Sequence, residues 1–412
     1  RRLLKDRLLN PIIDSSLLEK RYNMVKILTD RNENSEPFWK LLENPLSKIT
    51  DVERLFRKMG LGLLQPSDFA GLDFSCIYIM DLLNIIKNNK ILNDEMGSIM
   101  PNDEIYVNFN EFISEYNKYF DLEEISKYHL DKINSSFFKE GIYQDIDKLQ
   151  NSINNGMDIF QCVAKKLSHF IEDNSSTMVK VENNERDGYF LTLTSKRSNI
   201  LKKRFSNMNY KPLNVLLNNG KKISYNIKDI CFKSNTKTNV RIGCEYLKKG
   251  SSELILAKYK IGNVCKTHYL DIIQTLYIKY DKTFKAIAKF VSNIDVLKSS
   301  AKSACMYGYV KPTIANIFDD ESYLHVEGIR HPIIERIQTD YEYITNDLKL
   351  DKEQNGILLY GTNAAGKSSL MKAIGINIIL AQAGFFVAAK SFNFFPYKYI
   401  FTRINNNDNI FK

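Results

Sequence analysis

The feature that most restricts the fold of this chain is a short loop that fits the pattern G-x-x-x-x-G-K-[ST]. An apolar run, residues 357–360, precedes the loop, and an amphipathic helical pattern follows it. This order predicts a buried strand, a phosphate-binding loop and a helix. Glycines let backbone N–H groups converge on a phosphate, and the helix N-terminus adds partial positive charge. The loop consists of Gly361, Thr362, Asn363, Ala364, Ala365, Gly366, Lys367 and Ser368.

Two side chains of this loop have predicted roles in nucleotide chemistry. Lys367, the candidate catalytic residue, would reach the β- and γ-phosphates of ATP, and Ser368 would bind Mg²⁺ through its hydroxyl. A second, metal-holding carboxylate normally follows a later apolar strand. Asp81 follows an apolar run but lies in helical sequence far upstream, which indicates a residue on a helix surface. We therefore expect the acidic residue beyond Lys412, and little ATP hydrolysis by this chain alone.

Sequence patterns change three times along the chain and predict a mainly α-helical, multidomain protein. Helical periodicity runs to about Glu172, and two turn signals, Asp187-Gly188 and Asn219-Gly220, then separate short alternating runs typical of hairpins. A helical stripe follows, with Phe284, Ile287 and Ile294 among its members. The predicted domains are a helical part over residues 1–174, a β-rich insert over 175–244, returning helices over 245–304 and the start of an α/β domain over 305–412.

Composition narrows the class of protein further. The 412 residues carry a formal charge of +10, which favours polyanionic partners such as nucleic acid. No apolar stretch approaches the roughly 18 residues that span a membrane, so no membrane partner is expected. The six cysteines are far apart and lack the spacing of a zinc site, which indicates buried free thiols and an intracellular, reducing compartment. Because the chain opens with Arg1, we expect it to be part of a longer protein.

Several segments, in collinear order, resemble the MutS family of ATP-dependent DNA mismatch-repair proteins. The resemblance covers nearly the whole chain, and the loop departs from the family pattern at Thr362, at Ala364-Ala365 and at Ser369. These departures are similar to the branch found in giant viruses and octocoral mitochondria. The segments that carry the resemblance are RRLLKDRLLNPI, DVERLFRKM, PSDFAGL, FFKEGIYQDIDKL, MVKVENNERDGYFLTLT, NIDVLKSSAKSA, EGIRHPIIE, GTNAAGKSS and YIFTRINNNDNI.

The resemblance implies an architecture and a mechanism. Residues 1–174 and 245–304 would form a core with a long-helix lever, residues 175–244 a β-rich clamp, and residues 305–412 the first part of a truncated P-loop ATPase domain. Two subunits, in a homodimer or a MutS-like heterodimer, would encircle mismatched double-stranded DNA, switch with ATP and engage a MutL-like partner. Tyr343 and Ile344 match the position that stacks on adenine, and Ser369 completes the nucleotide site.

Basic residues in the predicted clamp suit contact with the DNA backbone, because neutralising phosphates releases counterions. A solvated lysine face is the alternative interpretation. The candidate DNA-binding residues are Lys196, Arg197, Lys202, Lys203 and Arg204, with Lys221, Lys222 and Lys228 further along the insert.

Three alternative functions stay open at this point. The first is a MutS paralogue that clamps recombination intermediates and ignores mismatches. The second is an ABC- or SMC-like ATPase whose helices form a protein-binding arm, and the third is a scaffold that does not hydrolyse ATP. His331, in the Arg330-His331-Pro332 segment, invites a catalytic role, but no nucleophile lies near it in the sequence, so we predict structural packing.

Overall fold

A computed structural model of the chain is mainly helical with small β-sheets, which confirms the coarse fold prediction. The domain boundaries set out above stay predictions. The structure describes residues 1–32, 35–172, 177–184, 186–207, 212–234, 238–315, 323–337, 342–362 and 365–403. These residues divide into two compact units, one comprising Arg1–Glu53, Leu72–Phe109 and Asp281–Lys412 and the other Arg54–Gly71 and Asn110–Tyr280.

Helices account for most of the regular structure in the described chain. The α-helices are α1 (Arg2–Leu9), α2 (Ser15–Thr29), α3 (Trp39–Lys48), α4 (Val52–Gly60), α5 (Pro66–Asn88), α6 (Lys90–Met96), α7 (Asp103–Tyr119), α8 (Leu122–Ile125), α9 (Gln144–Ile171), α10 (Ser195–Asn207), α11 (Glu245–Tyr307), α12 (Ile334–Ile337) and α13 (Lys367–Ala383). The strands are β1 (Lys180–Asn184), β2 (Gly188–Thr194), β3 (Leu213–Leu216), β4 (Lys222–Tyr225), β5 (Cys231–Ser234), β6 (Asn239–Gly243), β7 (Thr313–Ile314), β8 (Leu324–Ile329), β9 (Asn346–Leu350) and β10 (Ser391–Phe394).

The first unit contains a four-stranded sheet in the order β7-β10-β8-β9. Strand β10 runs parallel to β7 and antiparallel to β8, which pairs antiparallel with β9. Apolar side chains of β8 and β10, including Val326 and Phe392, pack with Ile378 and Ala381 of α13. Helix α13 is therefore fixed against this sheet by apolar burial, and its first residue belongs to the candidate phosphate loop.

The second unit combines an aromatic helical core with small sheets. Phe69, Phe120, Phe137 and Tyr269 are fully buried and form edge-to-face or tilted ring pairs. Strands β1, β2, β6 and β5 form an antiparallel sheet in that order, β3 and β4 form a separate hairpin, and α9 contacts both. Both predicted hairpin turns join paired strands: Asn184 pairs with Gly188 across β1 and β2, and Gly220 N donates to Leu217 O at 3.0 Å between β3 and β4.

Glycine is required at the first of these turns. Gly188 has φ +68°, and a Cβ at this position would collide with Ser251 Oγ and Ile255 Cδ1. The turn signal in the sequence thus reflects both the hairpin geometry and the close approach of α11 to β2.

Several expectations from the sequence were wrong. Residues 357–360 pair with no strand in the described chain and are exposed, because no neighbouring strand or helix covers them. We expected no apolar stretch of membrane-spanning length, but α5 is long and apolar enough to cross a membrane by length and composition. Its Leu72, Ile79 and Leu83 are nevertheless fully buried, as in a core helix. The cysteines were expected to be buried, but the free thiols of Cys231 and Cys305 are exposed.

Candidate nucleotide site and basic surface

The candidate phosphate loop lies directly before α13, in the first unit. Gly366 occupies the N-cap position with φ +85°, a left-handed conformation that glycine adopts without strain. No side chain in the described residues caps this end of the helix, so the first-turn N–H groups of α13 are available to donate hydrogen bonds to a ligand. Asn363 and Ala364 lie outside the described residues.

Lys367 folds back over the loop. Its Nζ donates to the carbonyl oxygen of Gly361 at 2.9 Å and to that of Thr362 at 2.6 Å. The backbone N–H of Ala365 also donates to Thr362 O, at 3.4 Å. The ammonium group therefore lies against the carbonyl groups of Gly361 and Thr362, and Lys367 itself begins α13, at the positive end of the helix dipole.

The chemistry of this donor set fits a Mg²⁺-bound phosphate. Ser368 is exposed and Ser369 half-buried, and neither hydroxyl has a hydrogen-bond partner among the described residues. Ser368 follows Lys367 directly, so a hydroxyl ligand and an ammonium group are presented on the first turn of one helix. An ammonium group, a free hydroxyl and uncapped N–H donors are the groups that nucleotide phosphates and Mg²⁺ require.

Two buried amides hold α13 in place, and the sequence analysis missed both. Asn377 Nδ2 donates to Arg330 O at 3.0 Å and its Oδ1 accepts from Ala388 N at 2.8 Å. Gln382 Nε2 donates to Tyr397 O at 2.9 Å. Polar residues inside an otherwise apolar helix were the available signal, because a buried amide needs hydrogen-bond partners.

Arg330 and His331 have structural roles, as predicted for His331. Arg330 donates to Glu335 Oε2 at 2.7 Å and to the carbonyl oxygen of Tyr307 at 3.0 Å, at the end of α11. His331 is buried, and its Nδ1 accepts from the backbone N–H groups of Ile333 and Ile334 at 3.2 and 3.3 Å, which caps α12. Burial lowers the pKa of His331 below its ordinary value.

The two candidate adenine-binding residues differ in their surroundings. Tyr343 is half-buried, and burial raises its pKa, with a smaller opposing effect from a backbone hydrogen bond to His331. Ile344 is exposed, and its carbonyl oxygen accepts from Asn346 Nδ2 at 3.3 Å. Within the described chain, no hydrogen bond or ring contact joins either residue to the phosphate loop.

The five candidate DNA-binding residues of segment 196–204 lie on a helix, α10, within the insert that was predicted to be β-rich. Ser198, Leu201 and Phe205 form its buried side. Lys196 and Lys203, seven positions apart, point away from that side and are exposed. The other three candidates lie on its flanks: Arg197 and Arg204 are half-buried, and exposed Lys202 has its Nζ 5.1 Å from the centroid of the Phe232 ring.

No acidic residue interrupts the basic series on α10. Lys221 and Lys222 lie at the β3–β4 turn and Lys228 just beyond β4, and all three are exposed. The arrangement presents ammonium groups to solvent on a helix and around a hairpin, which suits contact with phosphates in a sequence-independent way.

Comparison with known proteins gives matches over most of the chain. The family model "MutS domain III" matches residues 1–301, and "MutS domain V" matches residues 357–412. A putative DNA mismatch repair MutS homologue of Acanthamoeba polyphaga mimivirus is 31% identical over 452 aligned residues, which cover 100% of this chain and 39% of the relative.

Two further relatives extend this similarity. A mitochondrial DNA mismatch repair MutS homologue of Sarcophyton glaucum is 28% identical over 100% of this chain and 39% of its own length. DNA mismatch repair protein MutS of Lactococcus lactis strain IL1403 is 25% identical over 99% of this chain and 43% of its own length. The chain thus spans about two fifths of the length of these relatives.

Proposed function

The chain belongs to the MutS family, and we propose that residues 361–369 bind the phosphates of ATP together with Mg²⁺. The observation that carries this proposal is the start of α13, where Gly366 is left-handed and Lys367 folds over the loop carbonyls. Lys367 contacts the β- and γ-phosphates, Ser368 holds Mg²⁺, and the first-turn N–H groups of α13 donate to phosphate oxygens. When bound, Mg²⁺ would neutralise part of the negative charge of the phosphates.

The adenine base is proposed to lie against Tyr343 and Ile344. Tyr343 offers an aromatic face that is half-buried, and Ile344 offers an exposed apolar side chain. Base stacking on an aromatic ring is tolerant of exact orientation and needs no hydrogen-bond partner for the ring face.

The basic side of α10 is proposed to contact the phosphate backbone of duplex DNA. Five basic residues and no acidic residue on α10 support this proposal, together with the exposure of Lys196 and Lys203. Such contacts position a protein on DNA without reading its sequence. We therefore expect this surface alone to bind matched and mismatched duplexes equally.

At the level of the whole protein, we propose an ATP-switched DNA clamp in mismatch repair. This chain would provide its lever helices, its clamp and the first part of its ATPase domain. The working form would be a homodimer or a MutS-like heterodimer that cooperates with a MutL-like partner. The names of the three relatives support the role in mismatch repair.

Nucleotide titration of the chain with Lys367→Ala tests the proposed loop function. Loss of a charged hydrogen-bond donor to phosphate is worth about 1.5–3 kcal/mol, so the affinity for Mg²⁺-ATP should fall roughly 10- to 100-fold. Lys372→Ala is the matched control, because Lys372 is exposed on the next turn of α13. Isothermal titration calorimetry gives both affinities.

Equal affinities of the parent chain and Lys367→Ala for Mg²⁺-ATP would contradict the proposal. A comparable loss in Lys372→Ala would also count against it, because the effect would then be one of general charge. Circular dichroism of each variant confirms that α13 is intact.

A further inference from the structure

A cavity of about 710 Å³ lies in the first unit, away from the phosphate loop. Residues of α1, α2 and α11 line it, together with the segment that follows α6, and none of residues 361–369 is among them. Its volume is typical of pockets that bind small organic molecules. Four basic side chains and no carboxylate line its described wall: Arg7, Lys20, Arg21 and Lys289.

Arg7 is the most unusual of these residues. It is 7% exposed, and one Nη atom donates to Asn293 Oδ1 at 2.7 Å. Its Nε and its other Nη are buried and have no hydrogen-bond partner among the described residues. Buried polar groups are normally paired, because a donor without a partner carries the full cost of its desolvation.

The charges nearest to Arg7 do not neutralise it. Burial, followed by repulsion from Arg21, lowers the pKa of Arg7 to about 10, so the guanidinium stays charged at neutral pH. Asp6 acts in the opposite direction, but its Oδ1 accepts from Asn10 Nδ2 at 2.8 Å. The guanidinium therefore has an amide oxygen as its hydrogen-bond partner.

Arg21 repeats this pattern on the neighbouring helix. Its Nη1 donates to the carbonyl oxygen of Ala383 at 3.0 Å, and burial lowers its pKa. Two other arginines of the same unit have carboxylate partners, Arg2 with Asp51 at 2.8 Å and Arg330 with Glu335 at 2.7 Å, whereas exposed Arg31 donates to the carbonyl oxygen of Ser35 at 3.3 Å. Asp6 acts electrostatically on both guanidiniums, but neither has a carboxylate as a hydrogen-bond partner among the described residues. The pair therefore keeps the capacity to bind an anion from outside the chain.

We propose that this cavity binds a small organic phosphate of nucleotide size. A phosphate group offers several acceptor oxygens and more than one negative charge, which suits two guanidiniums flanked by two lysines better than a single carboxylate does. The cavity also exceeds the size of one phosphate group, and Met24, Phe290 and Leu297 provide an apolar wall for the organic part.

The test uses the full chain with Lys367→Ala, so that the loop site does not contribute. Inorganic pyrophosphate and ADP, both without Mg²⁺, are titrated by calorimetry and by the shift in Tm. We expect saturable binding of both, with ADP about tenfold tighter because of its organic part. Absence of saturable binding overturns the proposal, and equal affinities overturn its organic component.

Arg7→Met separates a binding role from a structural one. Methionine fills similar space without a charge, so the Tm without ligand should stay equal or rise, whereas the affinity for both probes should fall at least about tenfold. Lys282→Met is the matched control, because Lys282 is exposed on α11 and does not line the cavity. A lower Tm with unchanged affinity would assign Arg7 a structural role only and overturn the proposal.

A second variant keeps the test decisive if Arg7→Met fails to fold. Lys20 and Lys289 are exposed at the rim, so Lys20→Gln with Lys289→Gln should leave the core intact. The affinity for pyrophosphate should fall several-fold in this double variant. Unchanged affinity there would contradict an electrostatic site.

Discussion

At the scale of single residues, Asn377 shows how one amide fixes the direction of the helix that carries the phosphate loop. It is fully buried, bonds to Arg330 O and to Ala388 N, and also donates to Ala373 O at 2.8 Å. Arg330 in turn bonds to the last carbonyl of α11. A continuous series of hydrogen bonds within the first unit thus joins the end of α11 to α13.

His331 makes the stability of the first unit depend on pH. Its pKa is lowered in the folded state, chiefly by burial and also by the charge of Lys372, whereas Glu335 acts in the opposite direction. The unfolded state therefore binds a proton more readily. The contribution to stability is complete above about pH 6.5, the ordinary value for histidine, and is lost as the pH falls below it.

His331→Asn should reduce this loss of stability in acid. Asparagine can accept from the N–H groups of Ile333 and Ile334 and does not titrate. The drop in Tm from neutral to mildly acidic pH should be smaller than in the parent chain. His129→Asn, at an exposed position, is the control and should keep the parent slope. Thermal melts across this pH range measure the dependence of Tm on pH. Identical slopes in the parent and both variants would refute titration of His331 as the cause.

At the scale of elements, α10 shows why the basic surface could not be placed from sequence. The residue types were visible, but the helix interrupts a segment whose flanks alternate as strands. Ser198, Leu201 and Phe205 define its buried side only through contacts with α9, β2 and β6. The hairpins were predictable because their turn residues are adjacent in sequence, whereas the apolar run before the phosphate loop was misassigned because its burial depends on distant strands.

Replacing Lys196 and Lys203 by glutamine should weaken DNA binding and its dependence on salt. Each lost phosphate contact reduces the slope of log affinity against log salt by about 0.9, so the double variant should lose roughly two units of slope. Lys118→Gln with Lys132→Gln removes the same charge from other exposed positions and should leave the slope unchanged. Fluorescence anisotropy with a labelled duplex measures the affinity and its dependence on salt. Equal salt slopes in the two double variants would exclude α10 as the contact surface.

At the scale of the whole molecule, the strand order of the first unit and the basic cavity depend on contacts between residues that are distant in sequence. Sequence patterns did not predict either feature. Strand β10 lies between β7 and β8, although it follows both by many residues. The basic cavity brings Arg7 and Arg21, on the consecutive helices α1 and α2, together with Lys289 of α11, which lies far along the chain. Motif order and local turns therefore identified the family and the phosphate loop, whereas the cavity required the structure.

Net charge and exposed apolar surface should oppose each other in self-association of the chain. Leu358 is 88% and Tyr360 is 89% exposed, in a run that pairs with no strand among the described residues. The formal charge of +10, in contrast, repels a second copy. Without nucleotide, sedimentation should show mainly monomer at about 50 mM salt and larger species at about 500 mM, where charges are screened. Leu358→Lys with Tyr360→Lys should remain monomeric at both. Val107→Lys with Ile278→Lys, at exposed positions on α7 and α11, adds the same charge elsewhere and should behave as the parent chain does. A parent chain that stays monomeric at high salt would show that this apolar run is not self-complementary.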